Sequence, residues 1–286
     1  NNQEAKTGNW LGRIPPVTDT KMIVAWNSLM ISGLARSYSV FGHPEYLQLA
    51  ATAASFILDN QWLEGRFHRL NYDGEPSILA QSEDYALFIK ALLDLHQASL
   101  SALGSKESGE LQHITKDWLE KALNVQEEFD EFLWSVELAG YYNAASDSSS
   151  DLLVRERSYS DNATPSANGV AIANLVRLAL LTEDLQYLDR AEKALQSFSS
   201  AMNQSPQLCP SLFTALDWYH ACTLVRSSAV HLTSLMTQFL PTTVYQLEAN
   251  LPQGAVGLVC KGLSCLEPSN TFEQLLEQVQ RSQTRS

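Results

Sequence analysis

The sequence predicts a mainly α-helical protein: an arc of about three to four α-hairpins, a partial α/α toroid, with a small α/β element at the C-terminal end. Three observations predict it. Apolar residues recur at i, i+3, i+4 and i+7 in successive segments up to about residue 220. Short turns alternate with long decorated loops, as expected of stacked hairpins whose loops grow at one end. After residue 220 the pattern shifts to short β-prone runs, "TLVRSS", "TVYQLE" and "AVGLVC". The expected organisation is therefore a hairpin domain over 1–220 and a cap over 221–286.

The elements follow in order. Trp26, Leu29, Met30, Gly33, Leu34, Ser37 and Phe41 form one helical stripe whose small residues permit close packing. "GHPEY" stops that helix and starts a second, through Tyr46, Leu49, Ala50, Ala53, Phe56 and Ile57, with Pro44 suited to a first turn. "WLEGRFHRLNYDGEPSILAQ" reads as a decorated loop, and Tyr85, Phe88, Ile89, Leu92 and Leu95 carry a third helix. A polar break, "SALGSKESGE", precedes a fourth through Ile114, Trp118 and Ala122. From Phe129 to Tyr159 the pattern is irregular, a short ribbon with a serine-rich tip. Helices five (about Ser166–Leu181), six (about Leu185–Met202) and seven (around Leu212–His220) complete the arc, and "NTFEQLLEQVQ" closes the chain as a helix.

Composition narrows the function. With 45% hydrophobic and 18% charged residues, the 286-residue chain is globular. Its net charge of −13, from 19 Lys+Arg against 32 Asp+Glu, lacks the basic footprint that nucleic acids or anionic membranes require. No signal peptide or apolar run of membrane-spanning length is evident in the sequence. Four cysteines at 209, 222, 260 and 265 suit a reduced, cytoplasmic protein, and Cys260-x4-Cys265 has no second pair at zinc spacing. No metal and no cofactor is expected.

The odd-numbered helices start with polar clusters: "RIPPVTDTKMIVAWN", "QSEDYA" and "DNATPSAN". Each alone is adequate capping chemistry, because a helix start leaves unpaired N–H groups and a partial positive charge. Together they point to a pocket. If odd helices form an inner ring, their starts converge at one end of a central cavity.

These segments, with "EDYALFIKALLDLHQAS", "AGYYNA", "RERSYSDNATPSANGVAIANLVRLALLT" and "VCKGLSCLEP", resemble the spermatogenesis-associated, thioredoxin-domain family. The resemblance implies the C-terminal part of that family's α/α-toroid region, which is similar to N-acylglucosamine 2-epimerases and six-hairpin glycosidases, without the family's thioredoxin-like domain. Asp19, Lys21, Trp26, Asn27, Asp84, Tyr85, Arg157, Asp161, Pro165, Ser166 and Asn168 keep the family pattern, whereas Thr20, Asn162, Ala167 and Gly169 depart from it.

A carboxylate-and-aromatic pocket suits carbohydrate. Asp84 and Asp161, with Asp19 third, are the candidate catalytic carboxylates, since glycoside hydrolysis uses two carboxyl groups roughly 5–9 Å apart. Trp26 and Tyr85 are the candidates for stacking on sugar rings. Asn27, Lys21, Arg157, Ser166 and Asn168 are the candidates for binding hydroxyls. Epimerisation would instead need a base such as histidine, and none of His43, His68, His96, His113, His220 and His231 carries a motif. The competing expectation is a non-catalytic scaffold. Seven helices cannot close a six-hairpin ring, so a second copy or the missing N-terminal half would complete it.

Overall fold

The computed structural model describes residues 18–103, 117–148, 154–262 and 264–285. Helices α1 (Val24–Phe41), α2 (Pro44–Gln61), α3 (Ser82–Leu103), α4 (Trp118–Leu133), α5 (Ala167–Thr182), α6 (Leu185–Gln204) and α7 (Pro210–Ala221) build the arc. α1, α3, α5 and α7 pack side by side as an inner layer, and α2, α4 and α6 lie outside it. Each outer helix returns the chain, so the inner helices run parallel with their N-termini at one end. This is a partial α/α toroid, as the hairpin repeat predicts.

The core lies between the layers. α3 is central: Tyr85, Phe88, Ile89, Leu92 and Leu95 are all fully buried. By length and composition this 22-residue helix could cross a membrane, contrary to the sequence expectation, yet 78% of its most apolar window is buried within the protein. Aromatic rings bind the third and fourth helices. Phe129 stacks on Tyr85 with centroids 5.0 Å apart and on Tyr141 at 3.8 Å, pairs each contributing about 0.5–1.5 kcal/mol beyond area burial.

Three sequence expectations change. The stretch after α2 is not a loop but an antiparallel ribbon of β2 (Trp62–Leu63), β3 (Arg66–Tyr72) and β4 (Glu75–Leu79), joined by β1 (Met22–Ile23). Asp73-Gly74, both at positive φ, turns β3 into β4, the Asp-Gly hairpin signal that the loop reading passed over. α4 continues through Phe129 to Leu133, and only the stretch beyond it is irregular. Residues 149–153 of the serine-rich tip, Ile114 and most of "SALGSKESGE" lie outside the described residues. Finally, α1 does not bury its expected stripe. It packs through Val24, Ala25, Ser28, Ile31, Ser32, Ala35 and Tyr38, while Trp26, Leu29, Met30, Val40 and Phe41 face outward. The helix stands at the open edge of the arc, where no neighbour covers that side among the described residues.

The C-terminal segment forms a sheet of order β6-β5-β7-β8: β5 (Thr223–Ser227), β6 (Thr243–Leu247), β7 (Gly257–Lys261) and β8 (Ser264–Cys265). β5 and β6 are parallel, joined through α8 (Ala229–Met236), and α9 (Phe272–Ser282) packs on β7. The cap is tied to the arc. Gln97 of α3 accepts from Tyr245 N–H (2.7 Å) and donates to Tyr245 C=O (3.1 Å). Cys222, Leu224, Val244 and Cys260 join the helical core directly. The β7–β8 register sets Cys260 opposite Cys265, and the two form a disulfide. That corrects the fully reduced expectation for this pair; Cys209 and Cys222 remain free and buried.

Candidate functional site

The helix starts converge as predicted, and hydrogen bonds link them to one another. Asp84, in the first turn of α3, accepts from Ala25 N–H at the start of α1 (3.2 Å), from Arg69 of β3 (2.8 Å) and from Gln81 N–H (3.0 Å). It is fully buried, and burial pushes its pKa up to about 6 against the pull of Arg69. Glu83 accepts from Thr164 Oγ1 (2.9 Å), joining α3 to the approach of α5. Asp161 accepts from Ser166 N–H (3.0 Å) with one oxygen, and from Ser211 N–H (2.8 Å) and Oγ (2.7 Å) with the other, joining α5 to α7. The rim is thus a chain of carboxylates that cap neighbouring helices.

Most of the sequence-predicted residues are spent in that role or lie elsewhere. Asp84 points into packed protein, and so does Tyr85, whose hydroxyl donates to Glu128 (2.6 Å). Asn168, also fully buried, accepts from Tyr141 N–H (2.7 Å) and donates to the carbonyls of Tyr141 (3.0 Å) and Ser158 (2.8 Å), so it clamps the irregular segment instead of facing a cavity. Ser166 caps α5 by accepting from Gly169 N–H (3.2 Å). Arg157 donates to the carbonyls of Leu138 and Ala139 and to Ser197. Asp19 and Lys21 pair on the surface at 3.1 Å, and the Lys21 backbone N–H first, then its side chain, lowers the Asp19 pKa. Asn27 donates to Ile23 C=O (2.9 Å) at the start of α1. Trp26 is 61% exposed on the outer stripe. The structure does not bring Asp84, Asp161 and Asp19 together around an open space.

An open space does exist, farther along the same inner helices. A cavity of about 500 Å³ is enclosed by the inner faces of α1, α3, α5 and α7 and by the cap segment around Phe239 and Tyr245. Pro165, Gly169 and Ser211 bring its wall up to the rim, but none of the predicted site residues lines it. Asp94 forms its floor. One oxygen accepts from Lys90 (2.8 Å), Arg36 Nε (3.2 Å) and Ser32; the other accepts from Arg177 (2.7 Å) and Arg36 Nη2 (3.4 Å). Although Asp94 is fully desolvated, these three cations hold its pKa well below the usual carboxylate range. Arg177 is 4% exposed, and only its Nη2 is hydrogen-bonded among the described residues; Nε is buried without an acceptor. Trp218 supplies an aromatic wall. His96, half-buried near Arg177, has its pKa lowered to about 4 by desolvation first and then by that cation.

Sequence reasoning missed Arg36, Lys90, Asp94, Arg177 and Trp218. A signal was present. Lys90 and Asp94, four apart, interrupt the long apolar helix α3, and Arg177 stands alone in "ANLVRLALL". Charges inside a helix that is apolar all round demand partners within the protein.

No family model matches the chain. Over 209 residues, 70% of its length, it is 34% identical to spermatogenesis-associated protein 20 of Rattus norvegicus, and over 215 residues it is 32% identical to the Homo sapiens protein. The chain is a homologue of spermatogenesis-associated protein 20. It spans about a quarter of the length of these curated relatives (25% and 26%). Among solved structures, a GH76 alpha-mannanase of Bacteroides thetaiotaomicron matches with a TM-score of 0.48 at 17% identity, over 68% of this chain and 50% of that one. A cellobiose 2-epimerase of Bacillus thermoamylovorans matches with a TM-score of 0.47 at 15% identity, over 65% and 46%.

Proposed function

We propose that this domain binds a sugar or glycoconjugate in the cavity enclosed by α1, α3, α5, α7 and the cap. One observation carries the reading: a concave space of about 500 Å³ in which an aromatic wall at Trp218 meets convergent polar groups at Lys90, Asp94, Asn174 and Arg177. A site of that size suits a small ligand, and an aromatic surface beside directed polar groups, here with the Arg177 guanidinium 5.8 Å from the centre of the Trp218 ring, suits a sugar ring with its hydroxyls. Among the described lining residues Asp94 is the only carboxylate, and its cationic partners keep it ionised. The cavity therefore supports binding and does not furnish the two carboxylates of glycoside hydrolysis. A thermal-shift screen of mono- and disaccharides tests this. Binding to the folded state should raise Tm with ligand concentration by mass action. No shift at millimolar concentration for any sugar or sugar derivative would overturn it.

A second reading is a scaffold whose open edge is completed by a second copy. The exposed stripe of α1 favours it, because Trp26, Met30, Val40 and Phe41 are each at least half exposed around Gly33, where an added side chain would meet nothing. Contiguous exposed apolar surface of this kind marks an interaction face. Light scattering after size exclusion should show a dimer that Met30→Glu converts to monomer. A monomeric parent chain would overturn this reading.

A further inference from the structure

The charge on the cavity floor names the ligand class more closely. Three cations, Arg36, Lys90 and Arg177, converge on one carboxylate, Asp94. No second carboxylate pairs with any of the three among the described residues. Two positive charges are thus uncompensated, in a chain whose net charge is −13. Such a cluster is costly to assemble. Burial itself pulls the Lys90 and Arg177 pKa values down, and the cations repel one another in a poorly hydrated wall. The Arg177 guanidinium is almost wholly buried, and its Nε–H lacks an acceptor, which is the position an incoming anionic oxygen would relieve. Arg36, its side chain 60% exposed, extends the same positive surface to the cavity mouth.

We propose that the cavity takes an acidic sugar, one bearing a phosphate monoester or a carboxylate, with the anionic group held by Arg177, Lys90 and Arg36 and the ring against Trp218. Asp94 is then a positioning residue. It gathers the three cations through both oxygens and leaves their remaining N–H groups for the ligand. The inference rests on the sugar-binding reading above and adds the charge requirement.

Calorimetric titration of the intact chain with glucose, glucose 6-phosphate, glucuronate and inorganic phosphate tests it. One or both acidic sugars should bind at least about tenfold more tightly than glucose and than inorganic phosphate, and the advantage should shrink as salt rises. Which acidic sugar binds more tightly identifies the anionic group. Lys90→Met should abolish the advantage, and Arg36→Gln, at an exposed position that leaves the core intact, should reduce it several-fold without moving glucose affinity. Equal affinity for glucose and both acidic sugars would overturn this inference and leave the sugar reading standing. Inorganic phosphate binding as tightly as both acidic sugars would overturn the requirement for a sugar in this inference, while the sugar reading would still be decided by its wider screen. Silence from all four probes would overturn the acidic-sugar inference, while the sugar reading would still be decided by its wider screen.

Discussion

The rim and the cavity floor are polar clusters on the same inner helices, and they differ in how their charges are satisfied. At the rim the charges are mostly carboxylates, and what they meet are helix-start N–H groups, hydroxyls and one guanidinium: Asp84 with Ala25, Gln81 and Arg69, Asp161 with Ser166 and Ser211, Glu83 with Thr164 and Arg69. At the floor three cations share Asp94, and Arg177 keeps an N–H without an acceptor. A cluster whose members satisfy one another holds the fold together. A cluster with surplus donors around open space is available to a ligand. Polar residues at converging helix ends therefore do not identify a site until their hydrogen bonds are counted.

Four experiments would break or sharpen that contrast. The largest effect is expected at Glu128, which belongs to the satisfied class. It accepts from Trp62 Nε1 (2.7 Å), Phe67 N–H (2.8 Å), Tyr85 Oη (2.6 Å) and Arg66 (3.4 Å). Glu128→Ala should cost about 3–5 kcal/mol in urea unfolding, because it strands buried donors and a cation; a cost below about 1 kcal/mol would refute the structural role.

Next is the pH dependence of Asp84. Its folded pKa, about 6, is raised above the ordinary 3.8, so its contribution is fully present below pH 3.8 and is lost as pH rises through about 6. Lowering pH from 7 to 4 should therefore stabilise the parent chain relative to Asp84→Asn by on the order of 2 kcal/mol. His96 acts in the opposite sense, losing stability as pH falls from 6.5 through about 4, but it is common to both chains and cancels.

Gly169→Ser should cost about 1–3 kcal/mol through overpacking. An added Cβ would lie 2.4 Å from Ser211 Cβ and 2.7 Å from Ser211 backbone carbon, so α5 and α7 must separate at the point where Asp161 joins them. An unchanged Tm would show that the approach is slack.

The smallest effect should come from the floor itself. Lys90→Met removes one surplus cation and should change unfolding free energy by less than about 1 kcal/mol, since Arg36 and Arg177 still neutralise Asp94. A loss as large as that of Glu128 would erase the distinction between the two clusters.

Much of the arc was legible because helical periodicity is local. Tyr85, Phe88, Ile89, Leu92 and Leu95 lie on one repeat and are buried together. The convergence of "TDTK", "SEDY" and "DNATPSAN" was legible too, since alternating hairpins place odd helix starts at one end. Two things were not. The stripe of α1 has the spacing of a core face, and periodicity reports that a face is apolar without reporting what covers it. The floor cluster draws Arg36 from α1, Lys90 and Asp94 from α3 and Arg177 from α5, so no single segment shows more than a charge out of place.

By itself the sequence determined the helical repeat, the change of character after residue 220 and the polar helix starts, all of which depend on neighbours in the chain. Only the tertiary structure decided which polar groups satisfy one another. Hydrogen bonding and charge compensation act over a few ångströms in space, between residues as distant as Ser32, Asp94 and Arg177. That accounting left Asp84, Asp161 and Asn168 holding the rim, and left the unspent cations at the floor of the cavity.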